Sequence, residues 1–497
     1  MYKKYKDLLS KRADIKGAIA LLSWDQEVFM PREGASFRAK QLATLSGIAH
    51  EMFTSQQTGE LLEQLIHDRL LSSDELKNVK ETMNEFSKSR KLSKEFVEKR
   101  SETISDAFQN WLKARSFNDF KTFLPSLEKL VDIKRKEAEL IGFDEHPYDA
   151  LLDEYEPDEK TSNISKVFED LRQKLPPLLK AIKDMPQVED RFLKKKYDKD
   201  KQWEFGLYLL KQMGYDFDAG RQDISEHPFT ITFNPLDVRV TTRINENDFN
   251  NMTFSCIHEG GHALYEQGIP SSNYGLPSGE SISLGVHESQ SRLWENNIGR
   301  SLPYWKANYG KLQNIFPTNL GHVTLQEFYR AINKVQSSLI RTEADELTYH
   351  FHIMIRFEIE KMLIEGTLEA KDARDMWNDL YDKYLGVKVP DDKNGILQDI
   401  HWSHGSFGYF PTYSLGSFYA AQFHEKAKEE ISDLQLEITS GNLTPLLTWL
   451  REKIHRHGKL YKASELCQMV TGEPLNLDYF MRYAEKKYMK IYGFKKM

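Results

Sequence analysis

The residues best suited to chemistry lie in one short stretch, His258-Glu259-Gly260-Gly261-His262. Residues four apart on a helix lie one above the other, so these two imidazoles can meet a single ion. Glu259, one position after the first histidine, can reach a water at that ion, and the trio reads as a centre for metal-assisted hydrolysis. Each of the two glycines costs about 1 kcal/mol against alanine in a helix interior. Close approach of another backbone or of substrate would offset that cost. Cys256, two residues before His258, falls on a different face and reads as a small buried core residue.

A hydrolytic centre of this kind needs a third protein ligand and leaves a further position open for water. Glu288, in His287-Glu288-Ser289-Gln290-Ser291-Arg292, follows His262 by 26 residues. Pro270, Gly275, Pro277 and Gly279 lie between them, so the spacing predicts a loop and then a second helix crossing back beside the first. His287 is the alternative ligand. Two histidines with a downstream glutamate form the better-attested set, which favours Glu288. A zinc-stabilised scaffold without turnover is the competing class; it would close the site with a fourth protein ligand and has no need of Glu259.

The elements that must position these groups are mostly helical. Phe123, Leu127, Leu130 and Val131 share one face, with Lys134 at its edge. Val167, Leu171, Leu175, Leu178, Leu179 and Ile182 form another stripe, in which Pro176 and Pro177 predict a break or kink. Tyr349 to Ile364 is apolar almost all round and predicts a deeply buried helix. Only one region alternates like a strand: Phe229 to Phe233 and Val238 to Thr242, joined by the turn residues Asn234 and Pro235. A hairpin or small sheet is expected there, just before the metal helix, where an edge strand could receive an extended peptide.

The bulk composition narrows the class. The chain has 497 residues, 40% hydrophobic and 29% charged, as in an ordinary soluble globular protein. Its net charge of −7 argues against a dedicated nucleic-acid binder. The lysines at 194–196, 199 and 201 are interleaved with Asp198 and Asp200 and read as a solvated face. Two cysteines, Cys256 and Cys467, suit a reducing compartment. No apolar run approaches a membrane span, and Ala18 to Trp24 is too short for a signal core. A soluble cytoplasmic protein is expected, with an N-terminal helical part over about 1–220 and a catalytic part over 221–497.

Several further segments, taken with the metal motif, resemble the carboxypeptidase Taq family of zinc metallocarboxypeptidases. They are Trp24-Asp25-Gln26, Tyr148-Asp149-Ala150-Leu151-Leu152, Asp237-Val238-Arg239-Val240-Thr241, His287-Glu288-Ser289-Gln290, Ile340-Arg341-Thr342-Glu343-Ala344-Asp345 and Gly395-Ile396-Leu397-Gln398-Asp399-Ile400-His401-Trp402. The resemblance spans nearly the whole chain. It implies a mostly α-helical, saddle-like body with a deep active-site cleft, usually a homodimer. It also implies release of single residues from peptides with a free C-terminus, broad side-chain tolerance and poor use of C-terminal proline. Zinc is the implied metal, with cobalt able to substitute.

On that resemblance His258, His262 and Glu288 hold the metal and Glu259 is the general base. Tyr409 and His401 are the implied oxyanion donors, with Tyr413 and His404 in reserve. Arginine matches a carboxylate best, because its fork meets both oxygens. Arg341 is therefore the first candidate for the substrate's C-terminus, and Arg239 either assists it or is held by Asp237 or Asp399. An endo-acting oligopeptidase or dipeptidyl carboxypeptidase on a similar helical body is the nearest alternative.

Overall fold

The structure, a computed structural model, describes residues 1–225 and 227–495. It is overwhelmingly helical, with a single three-stranded sheet among the described residues. The expected hairpin is present as β2, Thr230–Asn234, antiparallel to β3, Asp237–Thr242, with an irregularity in register between Thr232 and Asn234. A strand without alternation in its sequence, β1 (Gln222–Ile224), adds in parallel to the other side of β3, giving the order β1-β3-β2.

The helix stripes fold as their periodicity requires. Phe120–Ile141 buries Phe123, Leu127, Leu130 and Val131. Thr161–Lys183 buries Leu171, Leu175, Leu178 and Ile182, but it runs through Pro176 and Pro177 without the expected break. Both prolines are exposed. The carbonyls of Arg172 and Gln173, which lose their helical donors to these prolines, therefore belong to the solvent side, where water can satisfy them. Tyr349–Glu365 is buried along nearly its whole length, and even Arg356 and Glu360 on it are fully enclosed.

The chain divides into two compact units. The first comprises Met1–Ser89, Val188–Ile332 and Gly416–Asn476; the second comprises Arg90–Gln187, Asn333–Leu415 and Leu477–Met497. The first unit holds the sheet, the metal helix and an apolar cluster of Tyr5, Leu9, Phe53, Leu62, Leu65, Val79, Phe86 and Leu276. At about 1.5–3 kcal/mol for each large apolar side chain removed from water, such clusters secure the frame on which the site is built. The second unit is organised around the buried helix Tyr349–Glu365. Among the described residues no helix is long and apolar enough to cross a membrane.

Two helices of the first unit set the site. The metal helix, Phe249–Glu266, starts at Asp248, whose carboxylate accepts the Asn250 N–H at 3.1 Å. It ends at a loop containing short 3-10 turns at Ser271–Asn273 and Pro277–Gly279. The second helix, Leu284–Arg292, is capped by Ser283, which accepts the Val286 N–H at 3.1 Å. It continues directly into a π-helical segment, Leu293–Gly299, a local widening often found at functional sites. The two helices lie in backbone contact. A Cβ on Gly261 would stand 2.7 Å from the Gln290 carbonyl oxygen and 2.7 Å from Ser291 Cα. The second glycine of the motif is thus explained by close approach of another backbone. Cys256 is buried, as expected for a core residue.

Candidate metal centre

One side chain from the second helix meets the two metal-helix histidines. His262 Nε2 lies 3.4 Å from Glu288 Oε2, and His258 Nε2 lies 3.7 Å from the same oxygen. His258, His262 and Glu288 each offer one ligand atom within 4.8 Å of the others. In a tetrahedral site with bonds of about 2.0–2.1 Å, ligand atoms stand about 3.3–3.4 Å apart, so the donors present fit a small divalent cation.

The remaining atoms of the three side chains are occupied. Arg292 Nε donates to Glu288 Oε1 at 2.6 Å, which leaves Oε2 to the histidines. His258 Nδ1 meets Glu295 Oε2 at 2.9 Å, and Arg300 meets the other oxygen of Glu295 at 3.2 Å. His262 Nδ1 meets His287 Nδ1 at 2.5 Å, and His287 Nε2 meets Glu266 Oε1 at 2.8 Å. Of the two alternatives at 287 and 288, therefore, the glutamate joins the two Nε2 atoms and the histidine stands behind one of them. Burial opposes the charged form of Glu288, yet Arg292 and the two imidazoles outweigh it and hold the carboxyl far below its ordinary range. Glu295 is lowered to about 2, again against burial, by His258, Arg292 and Arg300. Gly416 abuts Glu288 so closely that a Cβ would stand 2.5 Å from Glu288 Cγ.

Glu259 points toward the sheet. The Thr230 hydroxyl, at the start of β2, lies 2.7 Å from Glu259 Oε2 and 3.1 Å from its backbone carbonyl. Burial raises the Glu259 carboxyl above its ordinary range, opposed by His258 and by the Thr230 hydroxyl. A carboxylate that is buried, held by one donor and raised in basicity is suited to take a proton.

Arg239 is held by Asp237 in a two-pronged pair, with Nε to Oδ1 at 2.8 Å and Nη2 to Oδ2 at 2.9 Å. Its guanidinium also lies 4.5 Å from the Trp24 ring and 4.6 Å from the Phe233 ring. The other sequence candidates lie in the second unit. Arg341 Nε donates to Asp399 Oδ1 at 2.9 Å and Nη1 to the Tyr349 hydroxyl at 3.1 Å. Arg356 holds the other oxygen of Asp399 at 2.7 Å, so two guanidinium groups share one carboxylate. Arg341 faces the Tyr413 ring at 5.0 Å, and His401 Nε2 lies 3.1 Å from the Tyr413 hydroxyl. Tyr409 packs edge-on to His401 at 5.3 Å and tilted against Tyr413 at 5.2 Å. Arg341, His401, Tyr409 and Tyr413 thus form one cluster, whereas His404 is exposed and lies against Phe108 at 5.0 Å.

A buried carboxylate supports the segment that carries these groups. Glu360 accepts from Trp402 Nε1 at 2.8 Å, from the Gly408 N–H at 3.0 Å and from the Tyr148 hydroxyl at 2.7 Å. Burial pushes its carboxyl from 4.5 up to about 7, against the pull of these donors. Because the folded value is the higher one, the folded protein holds the proton more tightly than the unfolded chain. The stabilisation from this group is complete below about pH 4.5 and is lost as pH rises to about 7. A shift of this size corresponds to a loss on the order of 3 kcal/mol. Thermal midpoints between pH 5 and 8 are expected to fall more steeply for the wild type than for Glu360→Gln. Parallel curves would remove Glu360 as the titrating group.

Two half-buried histidines and a buried glutamate that converge, with the Glu259 carboxyl beside them, fit the centre of a metal-dependent hydrolase. Comparison with known proteins makes this specific. The family described as Carboxypeptidase Taq (M32) metallopeptidase matches residues 4–488. Thermostable carboxypeptidase 1 of Thermus thermophilus is 40% identical over 489 residues, 95% of each chain. A structure described as "The Structure of CHT" is 56% identical with a TM-score of 0.96, covering 98% of this chain and 99% of that one. The M32 carboxypeptidase from Deinococcus radiodurans R1 is 37% identical with a TM-score of 0.96, over 99% of both chains. This chain belongs to the carboxypeptidase Taq (M32) metallopeptidase family and is a metal-dependent carboxypeptidase.

The sequence reading missed the groups behind the candidate ligands, Glu266, Glu295 and the role of His287, and the Thr230 hydroxyl that holds Glu259. Glu266 follows His262 by four positions and Glu295 follows Glu288 by seven, so helical spacing held a signal for both.

Proposed function

We propose that the chain is a zinc-dependent exopeptidase that releases single C-terminal residues from peptides, with broad side-chain tolerance, and that cobalt can replace zinc. The observation that carries this reading is the convergence of His258 Nε2, His262 Nε2 and Glu288 Oε2 beside a Glu259 that is not part of the set. When bound, zinc polarises the scissile carbonyl and makes the attacking water more acidic. Glu259 takes the proton of that water and delivers it to the leaving amine. Thr230 holds the carboxylate in place for both transfers.

Tyr409 and His401 are proposed to donate to the developing oxyanion, where one preorganised donor is worth about 3–4 kcal/mol. Tyr413 and His404 are the reserves; of these, Tyr413 is the one joined to His401. Arg341 is proposed to receive the substrate's C-terminal carboxylate. Its described contacts to Asp399 and Tyr349 use three of its five donors, and the cluster of two arginines and one aspartate carries a net positive charge. Arg239, fixed by Asp237, is given an assisting part. A homodimer in the cytoplasm that recycles short peptides completes the reading. It is supported by the family resemblance and by the two buried thiols.

The test is hydrolysis of one blocked dipeptide and of its C-terminal amide by the metal-loaded enzyme. Cleavage of the acid at least about a hundredfold faster than the amide is expected, as for a paired charge lost from a buried recognition site. Equal rates would move the assignment to an oligopeptidase.

A further inference from the structure

The two metal-helix histidines are supported differently. His258 Nδ1 meets a carboxylate directly, at Glu295. His262 Nδ1 meets another imidazole, that of His287, which in turn meets a carboxylate at Glu266. We propose that His287 is a positioning residue that, fixed by Glu266, orients His262 and holds it in the tautomer needed to bind the metal. This rests on the metal-centre reading above.

The proton placement follows from that reading. A neutral imidazole that binds through Nε2 must carry its hydrogen on Nδ1. His262 Nδ1–H can then only donate, and the atom 2.5 Å away, His287 Nδ1, must accept. A neutral His287 accepting at Nδ1 carries its hydrogen on Nε2, where it faces Glu266 Oε1 at 2.8 Å. Every donor in this relay meets an acceptor, and one tautomer of each ring satisfies all contacts. Glu266 fixes His287, and His287 fixes His262.

The residues that do this come from the elements that supply the ligands. Glu266 lies one helical turn after His262, and His287 precedes Glu288. His287 also packs against Tyr265 at 5.3 Å, and its ring is tilted 30° from that of His262. Its position is therefore restrained by packing as well as by hydrogen bonding. Outer-sphere partners of metal histidines typically change metal affinity by about 10–100-fold.

The test compares His287→Leu, His287→Asn and Glu266→Leu, using zinc affinity measured by chelator competition as the primary readout. Asparagine sets its Oδ1 close to the place of imidazole Nδ1 and keeps the acceptor; leucine fills the space without one. His287→Leu is expected to weaken zinc binding by about 10–100-fold. His287→Asn is expected to stay within a few-fold of wild type. Glu266→Leu is expected to weaken binding, with no further loss when combined with His287→Leu. At saturating zinc, kcat should fall in the leucine variant while KM is retained. Thermal midpoints of the metal-free forms check folding, and if His287→Leu does not fold, the comparison of His287→Asn with Glu266→Leu decides.

Wild-type affinity in His287→Leu would overturn the proposal, as would equal losses in the leucine and asparagine variants. A wild type that does not bind one zinc per chain, or a His262→Ala that binds it normally, would instead overturn the metal-centre reading.

Discussion

Glu259→Gln is expected to lower kcat/KM by about 10²–10⁴-fold while the protein keeps its metal. Glutamine has the same shape, and its Oε1 can still accept the Thr230 hydroxyl that holds Glu259 at 2.7 Å. What it cannot do is take a proton. Glu259 stands outside the His258–His262–Glu288 set, so the substitution leaves the three proposed ligands and their partners in place. Burial, which raises the basicity of Glu259, makes the carboxylate a better acceptor than an exposed one, and its loss is correspondingly large. The measurement is kcat/KM on the blocked dipeptide together with metal content. Activity within about tenfold of wild type would exclude Glu259 as the base. Joint loss of metal and activity would place Glu259 among the ligands instead.

Gly261→Ala removes no functional group, yet a loss of about 10²-fold in activity is expected. On helix propensity alone, alanine is the better residue by about 1 kcal/mol. Its Cβ, however, would stand 2.7 Å from the Gln290 carbonyl oxygen and 3.0 Å from the Ser291 nitrogen. Those are backbone atoms of the helix that carries Glu288, and they cannot turn aside as a side chain can. The helix must shift, and overpacking of this kind costs about 1–3 kcal/mol, which outweighs the propensity gain. A displacement of about 1 Å at a catalytic group costs about 10²-fold in rate. Gly310→Ala is the control. It lies in the helix Leu302–Ile315 with nothing within 4 Å of where the added methyl would stand, so propensity alone should act and the thermal midpoint should rise. Unchanged activity and stability in Gly261→Ala would show that the two helices adapt without moving Glu288.

What could be read from the chain and what could not divide along physical lines. The metal helix, the loop after it and the returning helix were legible because each rests on a local pattern: a four-residue spacing, a run of turn residues, and a 26-residue gap that lets a second helix cross back. The hairpin was legible for the same reason, whereas β1 is three residues long, has no alternation and exists only because β3 pairs with it. The break expected at Pro176-Pro177 is absent because its cost depends on exposure, which the sequence does not state. Partner choice was the least legible. Arg239 pairs with Asp237, two residues away, and was among the alternatives; Arg341 pairs with Asp399, 58 positions away. Glu266 and Glu295 stand among 75 acidic residues, and only the fold sets these two against the histidines.

The division of the chain bears on how the protein is made. Each compact unit consists of three stretches that alternate along the sequence, so the backbone passes from one unit to the other five times. A ribosome therefore releases neither unit whole before its third stretch has emerged: the first needs its stretch to Asn476, the second the stretch that begins at Leu477. Contacts between such distant stretches form slowly, because long loops must close before they are rewarded. The three proposed ligands, by contrast, lie within 31 consecutive residues, 258–288, and emerge together. The proposed metal ligands are thus local in sequence, while the unit that contains them is closed only by its stretch from Gly416 to Asn476.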